Sequence, residues 1–241
     1  IATATDGKTT VEDEDDMPVN PDVTINVNKN WQDNDNQDGK RPEKITVELY
    51  RNNENEPVET VTIDASSDWK YVFNKLPKYD ENKNEITYRV VEVTVPEYDT
   101  KYEISDNGVE IYNHHTPETT SISGRKTWND SSNQDGVRPD SITVELLKTV
   151  DGTTTSMGDN YKRTLTGNTV DTVDYSWSDL PVYEAGKRIT YTVKEVGESN
   201  GKIAGKNSKE YTVEYDGMNI TNSYAPETTS ISGRKTWNDN N

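Results

Sequence analysis

The sequence contains no cysteine, so neither disulfide bonds nor thiol chemistry can stabilise this protein or carry its function. Histidine is almost absent as well, and the two that exist, His114 and His115, are adjacent and followed by a Thr-Pro step. A hydrolase triad or a histidine-rich metal site therefore has little support. We expect both histidines to be solvated, and we predict no metal site and no cofactor.

Long apolar runs and basic clusters are also missing. Apolar residues make up only 29% of the chain and charged residues another 29%, a balance that suits small sandwiches with thin cores. No window approaches the roughly 18 apolar residues of a membrane helix, and the first residues lack the basic and apolar regions of a signal peptide. The formal net charge of −18 repels phosphate groups, so we expect no nucleic-acid partner and no membrane partner.

What is present is a repeat. The stretch PETTSISGRKTWND occupies residues 117–130 and returns letter for letter at residues 226–239. The runs KITVELY, ITYRVVEV and VEIYN recur later, in the same order, as SITVELL, ITYTVKEV and MNITN. We therefore predict four parts, which are an acidic linker or the tail of a preceding repeat (1–22), a first repeat (23–117), a second repeat (118–225) and the truncated start of a third (226–241).

The second repeat is longer than the first. Lys29 and Lys126 are 97 residues apart, whereas Lys126 and Lys235 are 109 residues apart. We place the insertion between Leu147 and Asp174 and expect it to form a longer hairpin or loop.

Short alternating strands separated by turn residues fill both repeats. Runs rich in Val, Ile, Thr and Tyr alternate with Asn, Asp, Gly and Pro, and no segment shows the sustained 3.6-residue apolar period of a helix. Each copy of about 100 residues can supply about seven strands, the usual content of an immunoglobulin-sized sandwich. We predict an all-β chain of tandem β-sandwiches.

Three polar residues in each repeat lie on strand faces that are otherwise apolar. Because side chains alternate between the two faces of a strand, Lys29, Glu92 and Asn113 each fall in line with the apolar residues of their own strand. A buried ammonium or carboxylate without a partner costs several kcal/mol, so we predict that the three side chains meet in the core. The counterparts in the second repeat are Lys126, Glu195 and Asn222.

Two interpretations of this triad follow from the residues. The first is a buried ion pair between lysine and glutamate, with asparagine as a hydrogen-bonding third member. The second is covalent, because in a dry site a lysine tends to lose its proton and a carboxylic acid tends to keep one, which makes the amine a nucleophile. The glutamate would then polarise the carboxamide and pass protons to the departing nitrogen, so that ammonia leaves as an amide forms.

The runs KTWND, NQDG-x-RP, SITVEL, LP-x-Y, ITYTVKE and ITNS, in this order, closely resemble the Cna B-type repeats of collagen adhesins and related cell-wall proteins of Gram-positive bacteria. The resemblance covers residues 23–113 and 119–224. It implies a reversed immunoglobulin or transthyretin-like sandwich for each repeat, and an isopeptide bond from lysine to asparagine that a glutamate assists. Carried onto this sequence, the lysine, asparagine and catalytic glutamate are Lys29, Asn113 and Glu92 in the first repeat, and Lys126, Asn222 and Glu195 in the second.

The resemblance also implies a function. We expect stalk repeats of a surface adhesin that is extracellular and attached to the bacterial cell wall, with each repeat contacting its neighbours in a monomeric chain. A separate head domain would bind a host matrix or surface ligand. The protein would not be an enzyme, since bond formation consumes only its own side chains. The alternative is that the repeats themselves are adhesive, which a contiguous exposed aromatic patch would favour.

Acidic residues near the first lysine suggest a calcium loop at first sight. Asp33, Asp35 and Asp38 precede Gly39. Placing Asn34, Asn36, Asp38 and Gly39 on the EF-hand pattern, however, puts Ile45 where the bidentate glutamate belongs. The second repeat offers Ser131 at one ligand position. We expect a polar turn here. Because the chain has 44 acidic residues, paired carboxylates do not indicate a glycosidase either.

Overall fold

The structure is a computed structural model that describes residues 20–106, 108–166 and 169–239. The chain divides into two compact units that part between Thr116 and Pro117, with the short loop Asn36–Gly39 grouped with the second unit. The helical segments of the described ranges are two 3-10 turns of three residues, Ala65–Ser67 and Asp159–Tyr161. Within those ranges, no helix is long and apolar enough to cross a membrane. The predicted all-β class is confirmed.

Seven strands make up the described part of the first unit. Val, Ile, Thr and Tyr are frequent in them, and burial alternates along β1, β2 and β7 because one face packs inward. The strands are β1 (Asp22–Gln32), β2 (Lys44–Arg51), β3 (Glu59–Asp64), β4 (Lys70–Pro77), β5 (Tyr88–Glu92), β6 (Asp99–Ser105) and β7 (Gly108–His114).

These strands form two sheets, with the orders β4-β1-β7-β6 and β3-β2-β5. Neighbouring strands are antiparallel except for β1 and β7, the first and last strands, which run parallel. The chain therefore enters the first sheet at one end and leaves it at the opposite end.

An apolar core lies between the two sheets of the first unit. Val27 and Ile111 come from one sheet, Val47 and Leu49 come from the other, and none of the four is exposed to solvent. The unit is therefore a β-sandwich, in which the alternate residues of each strand face water.

The second unit repeats this architecture with additional short strands. Its first sheet has the order β12-β8-β18-β17-β16, and its first and last long strands, β8 and β18, again run parallel. In the second sheet, β9 pairs with β10 and β11 along one edge and with β15 along the other. The strands are β8 (Thr119–Asn129), β9 (Ser141–Val150), β10 (Thr153–Ser156), β11 (Lys162–Thr166), β12 (Thr172–Pro181), β13 (Tyr183–Glu184), β14 (Lys187–Arg188), β15 (Thr190–Glu195), β16 (Lys202–Ala204), β17 (Glu210–Asp216) and β18 (Asn219–Ser223).

The extra length of the second repeat lies in two places. One part forms β10 and the 3-10 turn that follows it, inside the predicted interval 147–174. A larger part follows Glu195, because Tyr211 comes 16 residues after it, whereas the equivalent Tyr98 comes six residues after Glu92. This part adds the edge strand β16. The prediction of one insertion at 147–174 is therefore wrong, since repeat spacing gives only the net difference in length.

Gly124 lies where β8 approaches its neighbours too closely for a side chain. A Cβ built at this position would lie 2.0 Å from the carbonyl oxygen of Met218 and 2.8 Å from the hydroxyl of Tyr175. That hydroxyl donates a hydrogen bond to the same carbonyl oxygen. Backbone and ring therefore fill the space that any larger residue would need.

We expect Gly124→Ala to destabilise the second unit by about 1 to 3 kcal/mol, the usual range for overpacking a filled site. Denaturant unfolding measures the loss. Gly233→Ala is a control of matched sequence, because Gly233 lies in the second SISGRKTW stretch with open space around it. Equal unfolding midpoints for Gly124→Ala and the parent would contradict the crowding.

Candidate functional site

The parallel pairing of first and last strands brings each predicted lysine beside its predicted asparagine. Trp31 on β1 is the register partner of Asn113 on β7, so Lys29 lies two residues earlier on the same face. Diagonal neighbours of this kind are about 7 to 8 Å apart, within reach of a lysine side chain. Lys126 and Asn222 occupy the corresponding register on β8 and β18.

The glutamates reach the same place from the opposite sheet. Glu92 ends β5 and Glu195 ends β15, and these strands pair with β2 and β9 respectively. All six predicted site residues are buried, and Asn113, Lys126 and Asn222 have no exposed surface. Each unit therefore collects one lysine, one glutamate and one asparagine between its two sheets.

In the first unit, the glutamate faces the lysine. Lys29 Nζ lies 3.7 Å from Glu92 Oε1 and donates a 3.2 Å hydrogen bond to the carbonyl oxygen of Asn30. It also lies 4.1 Å from the centre of the Trp31 ring. The side chains of Lys29 and Glu92 are fully excluded from solvent. Both amide atoms of Asn113 are buried without a hydrogen-bond partner among the described residues.

In the second unit, the glutamate faces the asparagine instead. Asn222 Nδ2 donates a 3.1 Å hydrogen bond to Glu195 Oε1. Lys126 Nζ donates a 3.0 Å hydrogen bond to the carbonyl oxygen of Thr127 and lies 4.0 Å from the centre of the Trp128 ring. Glu195 Oε2 and Asn222 Oδ1 have no hydrogen-bond partner in the described part of the chain.

Unsatisfied polar atoms are concentrated at these two sites. Among the described residues, most buried side-chain nitrogen and oxygen atoms without a hydrogen-bond partner belong to Glu92, Asn113, Glu195 and Asn222. Folded proteins satisfy nearly all such atoms, because leaving one unpaired costs about 1 to 3 kcal/mol. The same cost recurs in both units, which marks both sites as candidates for chemistry.

Burial changes the proton affinities of the site in the direction that nucleophilic attack needs. Loss of hydration lowers the pKa of Lys29 to about 8, although the nearby Glu92 carboxylate opposes the shift. Desolvation likewise lowers the pKa of Lys126 to about 7 and raises the pKa of Glu195. Burial therefore favours the neutral form of both amines and the protonated form of Glu195.

A second buried network lies beside each lysine, and the sequence analysis missed it. Arg41 donates two hydrogen bonds to Asp33, of 2.6 and 3.1 Å, and the Tyr98 hydroxyl donates another of 2.8 Å. The ring of Trp31 packs edge-on against that of Tyr98, with centres 5.0 Å apart. These contacts hold the ring against which the amine of Lys29 lies.

The same network recurs in the second unit, where Arg138 and the Tyr211 hydroxyl donate to Asp130. A signal for it was present in the sequence, since both repeats have an aspartate two residues after the tryptophan and an Arg-Pro pair later. Asp33 is thus a buried hydrogen-bond acceptor. Within the described ranges, no group of three or more histidine, aspartate or glutamate residues is placed to hold a metal ion.

The two histidines differ in environment. His114 is exposed, as expected. His115 is half-buried, with Nδ1 3.0 Å from the carbonyl oxygen of Glu97 and its ring packed against Tyr98. The expectation of two solvated histidines is therefore wrong for His115, because the strand that precedes it carries its ring back onto the sandwich.

Comparisons with known proteins point to one family. The model of the Cna protein B-type domain family matches residues 25–114 and 122–223, which include all six site residues. A collagen adhesin of Staphylococcus aureus is 38% identical over 227 residues, which are 91% of this chain and 17% of that protein. The crystal structure of two B repeat units (B1B2) of the S. aureus collagen binding protein is 34% identical, with a TM-score of 0.66.

The chain spans only part of the relatives that it matches. The B1B2 comparison covers 85% of this chain and 50% of the solved chain, and the adhesin comparison covers 17% of the adhesin. The similarity to these two relatives therefore concerns the pair of repeats in this chain, and not the rest of either relative.

In the variant Asn222→Ala no amide bond can form. The lowered pKa of Lys126 then predicts how the free energy of unfolding of this variant depends on pH. This pKa is about 7 in the folded chain and 10.5 for an unperturbed lysine. Between these values the unfolded state binds more protons, so stability should rise with pH, by about 1.4 kcal/mol per pH unit. Denaturant unfolding between pH 7 and 10 measures this slope.

The double variant Asn222→Ala/Lys126→Met is the control, because it lacks the titrating amine. Glu195 acts in the opposite direction, since its raised pKa makes its contribution to stability fall as pH rises. The difference between the two variants reports the titration of Lys126 together with its Coulombic effect on Glu195. A difference that does not change with pH would show that Lys126 stays charged in the folded state.

Proposed function

Because the chain belongs to the Cna protein B-type domain family, we propose that each repeat, at 23–117 and 118–225, forms one amide bond between its own lysine and asparagine side chains. The observation that carries this proposal is the unsatisfied carboxamide beside a buried amine and a buried carboxyl in both units. The bonded pairs would be Lys29 with Asn113 and Lys126 with Asn222, with Glu92 and Glu195 as assisting acids.

The unsatisfied asparagine argues against a plain ion pair. In the ion-pair interpretation, asparagine hydrogen-bonds to the charged pair, but neither amide atom of Asn113 has a partner among the described residues. Burying an amide without partners costs free energy and adds no hydrogen bond that would stabilise the ion pair. As the acceptor of a nucleophilic attack, however, the same amide needs to lie free beside the amine.

The proposed reaction balances within the chain. The lone pair of lysine Nζ attacks asparagine Cγ, a bond forms between these two atoms, and the bond from Cγ to Nδ2 breaks. The glutamate gives its proton to the amide and takes one from the amine, so that ammonia leaves. Glu195 Oε1 lies 3.1 Å from the Asn222 amide, within hydrogen-bond reach. Rotating the amide by a half-turn exchanges its nitrogen and oxygen, which would present the carbonyl oxygen to the protonated acid.

The position of the bond suits a spacer under tension. Because β1 and β7 are adjacent and parallel, a pull on the two ends of the unit shears one strand past the other. A bond from Lys29 to Asn113 carries this tension directly, so the 83 residues between them cannot extend. Without the bond they would lengthen by up to about 290 Å, at about 3.4 Å per residue.

We place these repeats in the stalk of an extracellular adhesin attached to a Gram-positive cell wall. The S. aureus relative is a collagen adhesin, and the solved B repeats belong to a collagen binding protein. By analogy, a separate head domain would bind the ligand, and the repeats would contact one another along one chain. The only reaction assigned to them is on their own side chains, so they are not proposed to act as an enzyme on other molecules.

Scattered exposed aromatics favour the stalk over the adhesive alternative. Among the described residues, the aromatic side chains in the group of exposed large hydrophobic residues are Tyr102 on β6, Tyr215 on β17 and Trp237 after β18. Two of these are only 40% exposed, and each lies in a different part of the chain. A ligand-binding patch is usually larger and contiguous.

The intact chain, measured by mass spectrometry under denaturing conditions, should weigh two ammonia molecules less than its sequence mass. Lys235 should stay free, because it is exposed and burial does not dehydrate its amine. Tryptic peptides should join Lys29 to Asn113 and Lys126 to Asn222. The double variant Lys29→Ala/Lys126→Ala should have its full sequence mass. An unreacted parent chain would favour the ion pair, and a loss of three would show that Lys235 also reacts.

Removal of either glutamate should prevent the bond in its own repeat alone. We expect Glu92→Ala to stay folded, because the apolar core is intact, but to retain one more ammonia than the parent. Closing a loop of this length stabilises a unit by about 4 to 5 kcal/mol by analogy with a disulfide, so the melting temperature of the first unit should fall by about 15 °C or more.

Glu103→Ala is the matched control, because Glu103 is exposed on β6 in the same unit. It should keep the mass and melting temperature of the parent. If Glu92→Ala also kept both, the carboxyl of Glu92 would have no part in the reaction.

A further inference from the structure

The two candidate sites differ at one position next to the asparagine. Strand register places Thr100 on β6 opposite Asn113 and Val213 on β17 opposite Asn222. The side chains of threonine and valine have nearly the same shape, but only threonine can donate a hydrogen bond. The chain therefore contains a natural comparison of a hydroxyl with a methyl group at equivalent places.

The backbone of the glutamate is held alike in the two units. The Tyr102 hydroxyl accepts a 2.9 Å hydrogen bond from the backbone N–H of Glu92, and the Tyr215 hydroxyl accepts one of 3.0 Å from Glu195. The backbone of each glutamate is thus held in the same way relative to the strand that carries Thr100 or Val213. A difference between the two carboxyl groups is then a difference in what their side chains contact.

The carboxyl groups do differ. Thr100 Oγ1 donates a 3.0 Å hydrogen bond to Glu92 Oε2, while Asn113 has no partner in the described part of the chain. In the second unit Val213 offers no hydroxyl, and Glu195 Oε1 accepts its hydrogen bond from the amide of Asn222. The carboxyl group therefore accepts from the threonine hydroxyl in the first unit and from the asparagine amide in the second.

We propose that Thr100 is a positioning residue that holds the Glu92 carboxyl away from Asn113, so that the first repeat forms its amide bond more slowly than the second. This inference rests on the proposed function, because it concerns the rate of that reaction. The hydroxyl orients the acid away from the amide that it must polarise.

The rate can be followed during synthesis of the full chain. Cell-free translation is stopped at set times in acidic denaturant, and intact mass counts the ammonia lost. In a Lys126→Ala background only the first repeat can react, and in a Lys29→Ala background only the second can. Each background thus reports one site in an otherwise complete protein.

We expect the first repeat to react more slowly than the second in these backgrounds. Thr100→Val should speed the first repeat by about tenfold, the effect of one hydrogen bond to a charged group. Val213→Thr should slow the second repeat by a similar factor. Thr100→Ser keeps the hydroxyl and should react at the rate of the parent, which separates hydrogen bonding from packing.

Several results would overturn the inference. Equal rates for the parent, Thr100→Val and Thr100→Ser, or a slower Thr100→Val, would show that the hydroxyl does not restrain the acid. If Thr100→Val failed to fold, an unchanged rate for Val213→Thr would overturn it in the second repeat. If the parent chain lost no ammonia at all, the proposed function would fail first and the inference with it. Loss of two ammonia molecules with no effect of Thr100 or Val213 would refute the inference alone.

Discussion

Each unit depends on a lysine amine that is buried between its two sheets. In both units the amine contacts one backbone carbonyl oxygen and the ring of the neighbouring tryptophan, and in the first unit it also lies 3.7 Å from Glu92 Oε1. Its pKa falls because burial removes the hydration that a charged ammonium requires. Parallel pairing of the first and last strands then puts an asparagine within its reach, and the opposite sheet supplies an acid. Strand order, burial and proton affinity therefore all act on the same three side chains.

The triads could be found from sequence because strand alternation is a local rule. Lys29, Glu92 and Asn113 interrupt apolar faces that can be read a few residues at a time, and the same interruptions recur in the second repeat. What each carboxyl group bonds to could not be found in this way. Thr100 lies opposite Asn113 and Val213 lies opposite Asn222. Both positions depend on the register of β6 and β17, which the intervening turns set. The division of the insertion into two parts was missed as well. Its larger part has no counterpart in the first repeat, and the spacing between repeats gives only the net difference in length.

The network of aspartate, arginine and tyrosine beside each lysine shows how differently buried polar groups can behave. Asp33 accepts hydrogen bonds from both Arg41 and Tyr98, so its burial is compensated by direct partners. Strand alternation did not reveal it, because Asp33 and Arg41 lie at or beyond the ends of strands, where alternation assigns no face; only the repeated spacing from tryptophan to aspartate and the Arg-Pro pair marked it in the sequence. Compensated burial of this kind is expected of a structural support. The neighbouring glutamate and asparagine keep buried atoms without hydrogen-bond partners, and unsatisfied atoms of this kind are expected of a reactive site.

A covalent bond also removes the costs that burial of the triad creates. A chain without cysteine cannot close the loop between its first and last strands with a disulfide, and a thin core offers limited stabilisation of its own. In the proposed reaction, the dehydrated amine becomes an amide nitrogen that no longer titrates, and in the first unit Asn113 loses the nitrogen that lacked a partner. Burial of the reacting groups therefore raises the free energy of the folded precursor, but it does not raise that of the product. This difference drives the reaction forward only after the sandwich has formed, because the unfolded chain hydrates the same lysine and keeps it charged.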